Sequence, residues 1–188
     1  MRLLLASKSP RRRQLLAELG FPIEIVSVDV DEHLDTPVAA HEVAKHLACR
    51  KAAAYPIGQL ADDQVLVTAD TVVVLDGRVL GKPVSRDEAI AMLRSLSGRS
   101  HEVYTGVCLR TTQREQSFIE CTTVHFATLT DSEIDYYVDH YRPYDKAGAY
   151  GIQEWIGMVG VSRIEGCYYN VMGLPVARLY ATLKEITC

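Results

Sequence analysis

Val65-Leu66-Val67-Thr68-Ala69-Asp70-Thr71-Val72-Val73-Val74-Leu75 is an apolar, largely β-branched run broken once by a carboxylate. Hydrophobicity that is nearly continuous, rather than alternating, marks a central strand buried on both faces. Asp76-Gly77 follows as a hairpin signal, with Arg78–Leu80 as the short return strand. Beyond it, Ser85 caps a helix that runs through Leu96 and ends near Gly98. His101–Thr111 and Ser117–Leu129 read as two paired strands, and Thr130 or Asp131 opens a helix to about Tyr141. Asp145–Gln153 is a glycine-punctuated loop with a short strand, Val159–Ile164 a strand, and Asn170–Ile186 a closing helix with Pro175 near its first turns. On the other side of the central run, Leu3–Ala6 is a short buried strand. Ser9-Pro10 is an N-cap followed by proline at the first helical position, and that helix stops at Gly20. Phe21–Val28 returns as a strand, an acidic loop holds Asp29, Asp31, Glu32 and Asp35, and a helix spans roughly Val38 to Ala54. Strands and helices alternate, which predicts an α/β class with a mixed sheet.

Composition narrows the function. The 188 residues are 48% hydrophobic and 23% charged, enough for a packed core and against disorder. They show no repeat, low-complexity segment or linker, so residues 1–188 are expected to form a single domain. A net charge of -4 argues against nucleic-acid binding through bulk electrostatics. Cys49, Cys108, Cys121, Cys167 and Cys188 show no CxxC or Cys/His ligand spacing and read as reduced thiols. With no signal peptide, twin-arginine signal or spanning segment, the expected place is the cytoplasm, away from the membrane.

Four places depart from what local physics favours. Arg11, Arg12 and Arg13 crowd the first turn of a helix, the positive end of its dipole, which suits a bound anion. Ser7 and Ser9 add hydroxyl donors there, and a solvated basic helix start is the alternative. Asp70 sits in a strand that buries its neighbours, where a carboxylate is costly unless paired, hydrogen-bonded or metal-bound. Lys51 shares a helix face with Val43 and Leu47, so it needs a carboxylate, a phosphate or a path to water. In Asp145-Lys146-Ala147-Gly148-Ala149-Tyr150-Gly151-Ile152-Gln153, two glycines bracket an aromatic and permit close backbone approach to a ligand; an ordinary loop is the alternative. Gly81-Lys82-Pro83 offers a lysine to phosphate or solvent. No HExxH is present, His101 reads as structural at a strand start, and Cys167 has no neighbouring base.

These segments, in this order, resemble the Maf family of nucleotide pyrophosphatases over nearly the whole chain. The match begins with Leu5-Ala6-Ser7-Lys8-Ser9-Pro10-Arg11-Arg12 and passes through Asp31-Glu32, Lys51-Ala52, Ala69-Asp70-Thr71-Val72-Val73 and Gly81-Lys82-Pro83. It continues through Leu96-Ser97-Gly98, His101-Glu102-Val103 and Thr105-Gly106-Val107. It closes with the Asp145–Gln153 segment, Ile164-Glu165-Gly166 and Asn170-Val171-Met172-Gly173-Leu174-Pro175. The resemblance implies a twisted mixed sheet with flanking helices, two lobes around a central cleft, similar to inosine triphosphate pyrophosphatases. It implies hydrolysis between the α- and β-phosphates with Asp70 as proton acceptor, a divalent cation, and homodimerisation.

Arg11, Thr71 and Gln153 match the positions that separate branches of the family and look like the dTTP/UTP branch. The branch acting on 7-methylguanosine triphosphate typically has tryptophan, glutamine and glutamate there. On this reading the substrate is a small-molecule nucleoside triphosphate, cradled by Arg11, Arg12, Lys51, Lys82 and Lys146 with Ser7. Mg2+ or Mn2+ is held by Glu32 and Asp70, and Asp70 is base, ligand or both. A nucleotide-binding regulator of septum formation, without obligatory hydrolysis, is the alternative that the same resemblance carries. Glu154-Trp155-Ile156-Gly157 is assigned nothing.

Overall fold

The computed structural model describes residues 1–31, 33–34 and 37–186. Among these, seven strands are β1 (Arg2–Ala6), β2 (Ile23–Val26), β3 (Gln64–Leu75), β4 (Arg78–Leu80), β5 (Ser100–Arg110), β6 (Glu115–Phe126) and β7 (Val161–Glu165). The helices are α1 (Pro10–Ala17), α2 (Ala40–Ala54), α3 (Arg86–Leu96), α4 (Asp131–Tyr141), α5 (Trp155–Gly160), α6 (Tyr168–Met172) and α7 (Val176–Ile186). The strands form one sheet in the order β2-β1-β3-β5-β6-β7, with β4 paired to β3. β1 runs parallel to β2 and β3, whereas β3–β4 and β6–β7 are antiparallel, so the sheet is mixed as expected. Every residue of β3 is buried except Asp70 and Thr71.

The chain divides into two compact units, one of Met1–Asp70, Thr105–Glu120 and Gly173–Cys188, the other of Thr71–Tyr104 and Cys121–Met172. In the first, Leu4 and Ala6 of β1, Leu66 of β3 and Cys108 of β5 pack with Ala48 and Ala52 of α2. Gly106 explains how closely α2 approaches: a Cβ there would lie 2.2 Å from the backbone nitrogen of Lys45. Only glycine tolerates that contact. Thr68 Oγ1 then donates to the Ala48 carbonyl at 2.7 Å, tying β3 to the same helix. α7 buries Leu179, Thr182, Leu183 and Ile186, the spacing of one helical face.

In the second unit, Val73 and Leu75 pack with Ala89, Ile90 and Leu93 of α3 and with Ile134, Tyr137 and Val138 of α4. α4 begins with a full capping box, Thr130 and Glu133 each accepting from the other's backbone N–H. His101 is buried beside Phe126 and Tyr150, its Nε2 2.7 Å from the Tyr150 hydroxyl. Burial, with a smaller push from His125, lowers its pKa to about 4, so it is a neutral core residue.

Several expectations need correction. The single closing helix is two, α6 and α7, because Gly173 takes φ 115 and Pro175 follows it. The segment expected to hold a short strand carries a 3-10 turn at Ala147–Ala149. α5 forms where 155–157 were assigned nothing and takes Val159 and Gly160 from the expected strand, which starts at Val161; its Gly157 has no room for a Cβ, which would meet the Ile152 carbonyl oxygen at 1.8 Å. α1 ends at Ala17, short of Gly20. No described helix is long and apolar enough to cross a membrane. Cys49, Cys108, Cys121 and Cys167 are free thiols.

Candidate active site

The gap in the burial of β3 is filled by an ion pair. Lys51 Nζ lies 2.6 Å from Asp70 Oδ1, with 17% and 14% of the two side chains exposed. Each residue answers the other's difficulty. The lysine on the inward stripe of α2 finds a carboxylate, and the carboxylate in a buried strand finds a cation. The distance is set by α2 lying tight on β5 at Gly106 and on β3 at Thr68.

Arg12, in the first turn of α1, reaches two backbone carbonyls. Its Nε donates to the Gly173 carbonyl at 2.8 Å and its Nη1 to the Ala69 carbonyl at 2.8 Å. The guanidinium thus anchors the start of α1 to the residue preceding Asp70. Ser9 caps α1 by accepting from the Arg12 backbone N–H at 3.4 Å, and Pro10 occupies the first turn. Ser7 Oγ accepts from the Ser9 N–H at 3.2 Å. No acid lies in the first turn of α1, so its dipole is uncompensated by the helix itself. Arg11 is half-buried in that turn. The structure therefore brings Ser7, the N-terminus of α1, Arg12, Lys51 and Asp70 into one unit.

Thr71, Lys82, Lys146 and Gln153 belong to the second unit. Thr71, next to Asp70 in β3, is half-buried, and Lys82 is exposed. The Gly148 N–H donates to the Gly81 carbonyl at 3.0 Å, which fixes the Lys82 loop beside the Asp145–Gln153 segment. Gly148 has φ +67, and a Cβ there would meet Val73 at 3.0 Å. Lys146, only 8% exposed, lies 2.7 Å from Asp145 and 3.1 Å from Glu154. Tyr137 donates a short hydrogen bond to the Glu154 carboxylate and accepts the Gly151 N–H at 3.0 Å. Burial, reinforced by Glu154, raises the Tyr137 phenol's pKa, so it remains a donor. Gln153 emerges from this braced loop with its Oε1 buried and without a hydrogen-bond partner among the described residues. A buried amide oxygen left unpaired costs about 1–3 kcal/mol, which makes it a candidate for a ligand's donor.

Glu32, the other expected cation ligand, lies outside the described residues. Asp70 supplies a hard carboxylate oxygen, the donor Mg2+ and Mn2+ accept, and such sites commonly add only one or two carboxylates to a substrate's phosphates. Glu154 and Tyr137 were missed as parts of the site. They meet Lys146 and Gly151 through a loop and a separate helix, where no periodicity announces the contact.

A family model described as Maf-like protein matches residues 2–186. A protein of Bacteroides fragilis named dTTP/UTP pyrophosphatase is 50% identical over 186 residues, covering 98% of this chain and 96% of its own length. A protein of Porphyromonas gingivalis with the same name is 50% identical over 186 residues, covering 98% and 94%. One of Christiangramia forsetii, again so named, is 42% identical over 184 residues, covering 98% and 93%. Among solved structures, a nucleoside-triphosphatase / dITP/XTP pyrophosphatase from Mycobacterium abscessus overlaps 69% of this chain and 76% of its own. That partial likeness has 19% identity and a TM-score of 0.41.

Proposed function

Because this chain belongs to the Maf-like family, we propose that it is a nucleoside triphosphate pyrophosphatase that converts dTTP and UTP to the monophosphate and pyrophosphate. The observation that carries the reading is the Lys51–Asp70 pair, set at the one interruption in the burial of β3. The family match runs through both units, which supports treating residues 1–188 as one functional domain. The cytoplasm, with its nucleotide pool and reducing conditions, suits an enzyme with free thiols.

Asp70 orients a water for attack on the α-phosphorus and accepts its proton as the bond to the bridging oxygen breaks. Lys51 neutralises charge on the triphosphate, and the α1 N-terminus with Ser7 and Arg11 donates to phosphate oxygens. Arg12 holds the Ala69 carbonyl and so fixes the backbone that presents Asp70. Lys82 adds an exposed cation, and Lys146 fixes the loop that carries Gln153. A divalent cation, Mg2+ or Mn2+, held by Asp70 and Glu32, would supply further neutralisation of the phosphates.

Base choice rests on Gln153, with Arg11 and Thr71 at the other two branch-separating positions. Its amide offers acceptor and donor, the complement of the uracil or thymine edge, and its Oε1 lacks a partner among the described residues. Pyrophosphate release from dTTP, UTP and 7-methylguanosine triphosphate, with purified protein and either cation, tests the reading. The two pyrimidine nucleotides should be the better substrates. Gln153→Glu removes the donor and should cost roughly 10- to 100-fold on dTTP and UTP, and less on the purine. Binding without pyrophosphate release would sink the enzymatic reading, and equal losses across the panel would sink base reading by Gln153.

A further inference from the structure

Three side chains of the first unit that play no part in that chemistry converge from separate elements. Cys49 lies on α2, Cys108 on β5 and Glu115 at the first position of β6. Their two sulfurs and a carboxylate oxygen all lie within 4.8 Å of one another. In a tetrahedral zinc site, metal–sulfur distances of about 2.3 Å and metal–oxygen distances of about 2.0–2.2 Å place neighbouring ligand atoms roughly 3.5–3.8 Å apart. The three groups are therefore close to ligand spacing already. Two packed thiols alone would be an ordinary core feature. A carboxylate oxygen within 4.8 Å of both sulfurs goes beyond that, since it brings charge beside two groups that ionise to anions.

The surroundings support a ligand. Arg110 lies with its Nε 3.9 Å from the Glu115 carboxylate, while its Nη1 donates to the Ala52 carbonyl at 2.9 Å. That ion pair gives the carboxylate a cationic neighbour that is itself anchored to α2. Access is graded: Cys108 is fully buried, Cys49 half-buried and Glu115 exposed, so an ion has an entry path and a dry inner face. The donor set is sulfur-rich, whereas Asp70 offers carboxylate oxygen alone, and it selects a different class of cation.

We propose that Cys49, Cys108 and Glu115 bind a thiolate-preferring divalent cation of the zinc class, through two sulfurs and one carboxylate oxygen, with water completing a tetrahedron. Binding releases the two thiol protons and forms two metal–sulfur bonds, with no change of oxidation state. The bound ion ties α2 to β5 and β6. Cys49 is two residues from Lys51, so the site braces the helix that presents the lysine.

Co2+ added to the reduced full-length protein is the direct probe. One equivalent should produce a thiolate-to-cobalt charge-transfer band with d–d absorption of tetrahedral intensity, and Zn2+ should displace it. Co2+ held by Asp70 alone gives no thiolate band, so failure of this site and failure of the active-site reading are distinguishable. Cys49→Ala, at a half-buried helical position that accepts alanine, should abolish the band while far-ultraviolet circular dichroism stays native. Glu115→Gln should weaken Co2+ binding by at least roughly tenfold, and Cys121→Ala should leave the spectrum unchanged. Zn2+ should also protect Cys49, the accessible thiol of the pair, from a thiol-labelling reagent. No charge-transfer band, a band that survives Cys49→Ala or disappears in Cys121→Ala, or labelling equally fast with and without Zn2+ overturns the proposal.

Discussion

Each unit contains a lysine facing a carboxylate, and the two pairs are built for different ends. Lys51–Asp70 joins a helix to a strand at the one place where that strand gives up its burial. Lys146 is held by both Asp145 and Glu154, and Glu154 is itself held by Tyr137, whose hydroxyl also takes the Gly151 N–H. The second arrangement is a closed polar network, and such networks define a local structure. The first presents an acid at a break in a packed core, the setting in which the proposed function places a base. A lysine–carboxylate contact is therefore no guide to role until its surroundings are known.

The largest expected difference is catalytic. Asp70→Asn should lower kcat by ~10²–10⁴-fold, the usual worth of a general base, with nucleotide binding still measurable by titration. Normal turnover in that variant would erase the contrast. Lys146→Met should act on stability instead, costing about 3 kcal/mol in urea unfolding because Glu154 loses its buried cation. A loss of activity with unchanged stability would make Lys146 a substrate ligand and the two pairs alike.

Acid sharpens the comparison. His101 has its pKa depressed from 6.5 to about 4 by burial, so the unfolded chain binds the extra proton first. Its contribution is complete above pH 6.5 and is lost as pH falls through that window toward 4, about 3 kcal/mol in all. The slope of stability against pH in that range should be shallower in His101→Gln, and an unchanged slope would remove His101 from the account. The smallest effect is local. Gly148→Ala should cost about 1–2 kcal/mol through its positive φ and its contact with Val73, seen as a lowered denaturation midpoint. A neutral result would mean that the loop bearing Gln153 is less tightly seated than its geometry indicates.

Much of the fold was legible because its signals are local. The unbroken apolar run located β3, Ser9 and Ser85 located the starts of α1 and α3, and Thr130 located α4. Gly173 and Pro175 signal the break between α6 and α7, but the apolar periodicity that follows reads as one continuous helix. α5 was invisible for another reason. Its six residues carry little pattern, and Gly157 matters only because the Ile152 carbonyl lies where a side chain would go. At the site, Asp70 and Lys51 stood out as charges in apolar settings, yet nothing in the order of residues said that each was the other's partner.

By itself the sequence determined most of the strand and helix order, the family, and which acid stands out in an apolar strand, because hydrophobic period, caps and a misplaced charge are properties of short stretches. Tertiary structure alone decided the partners. It turned Arg12 toward backbone carbonyls, closed Lys146 into a carboxylate and tyrosine network, left the Gln153 oxygen without a partner among the described residues, and brought Cys49, Cys108 and Glu115 together. Those outcomes depend on how closely separate elements pack, and close packing between distant residues has no local signature.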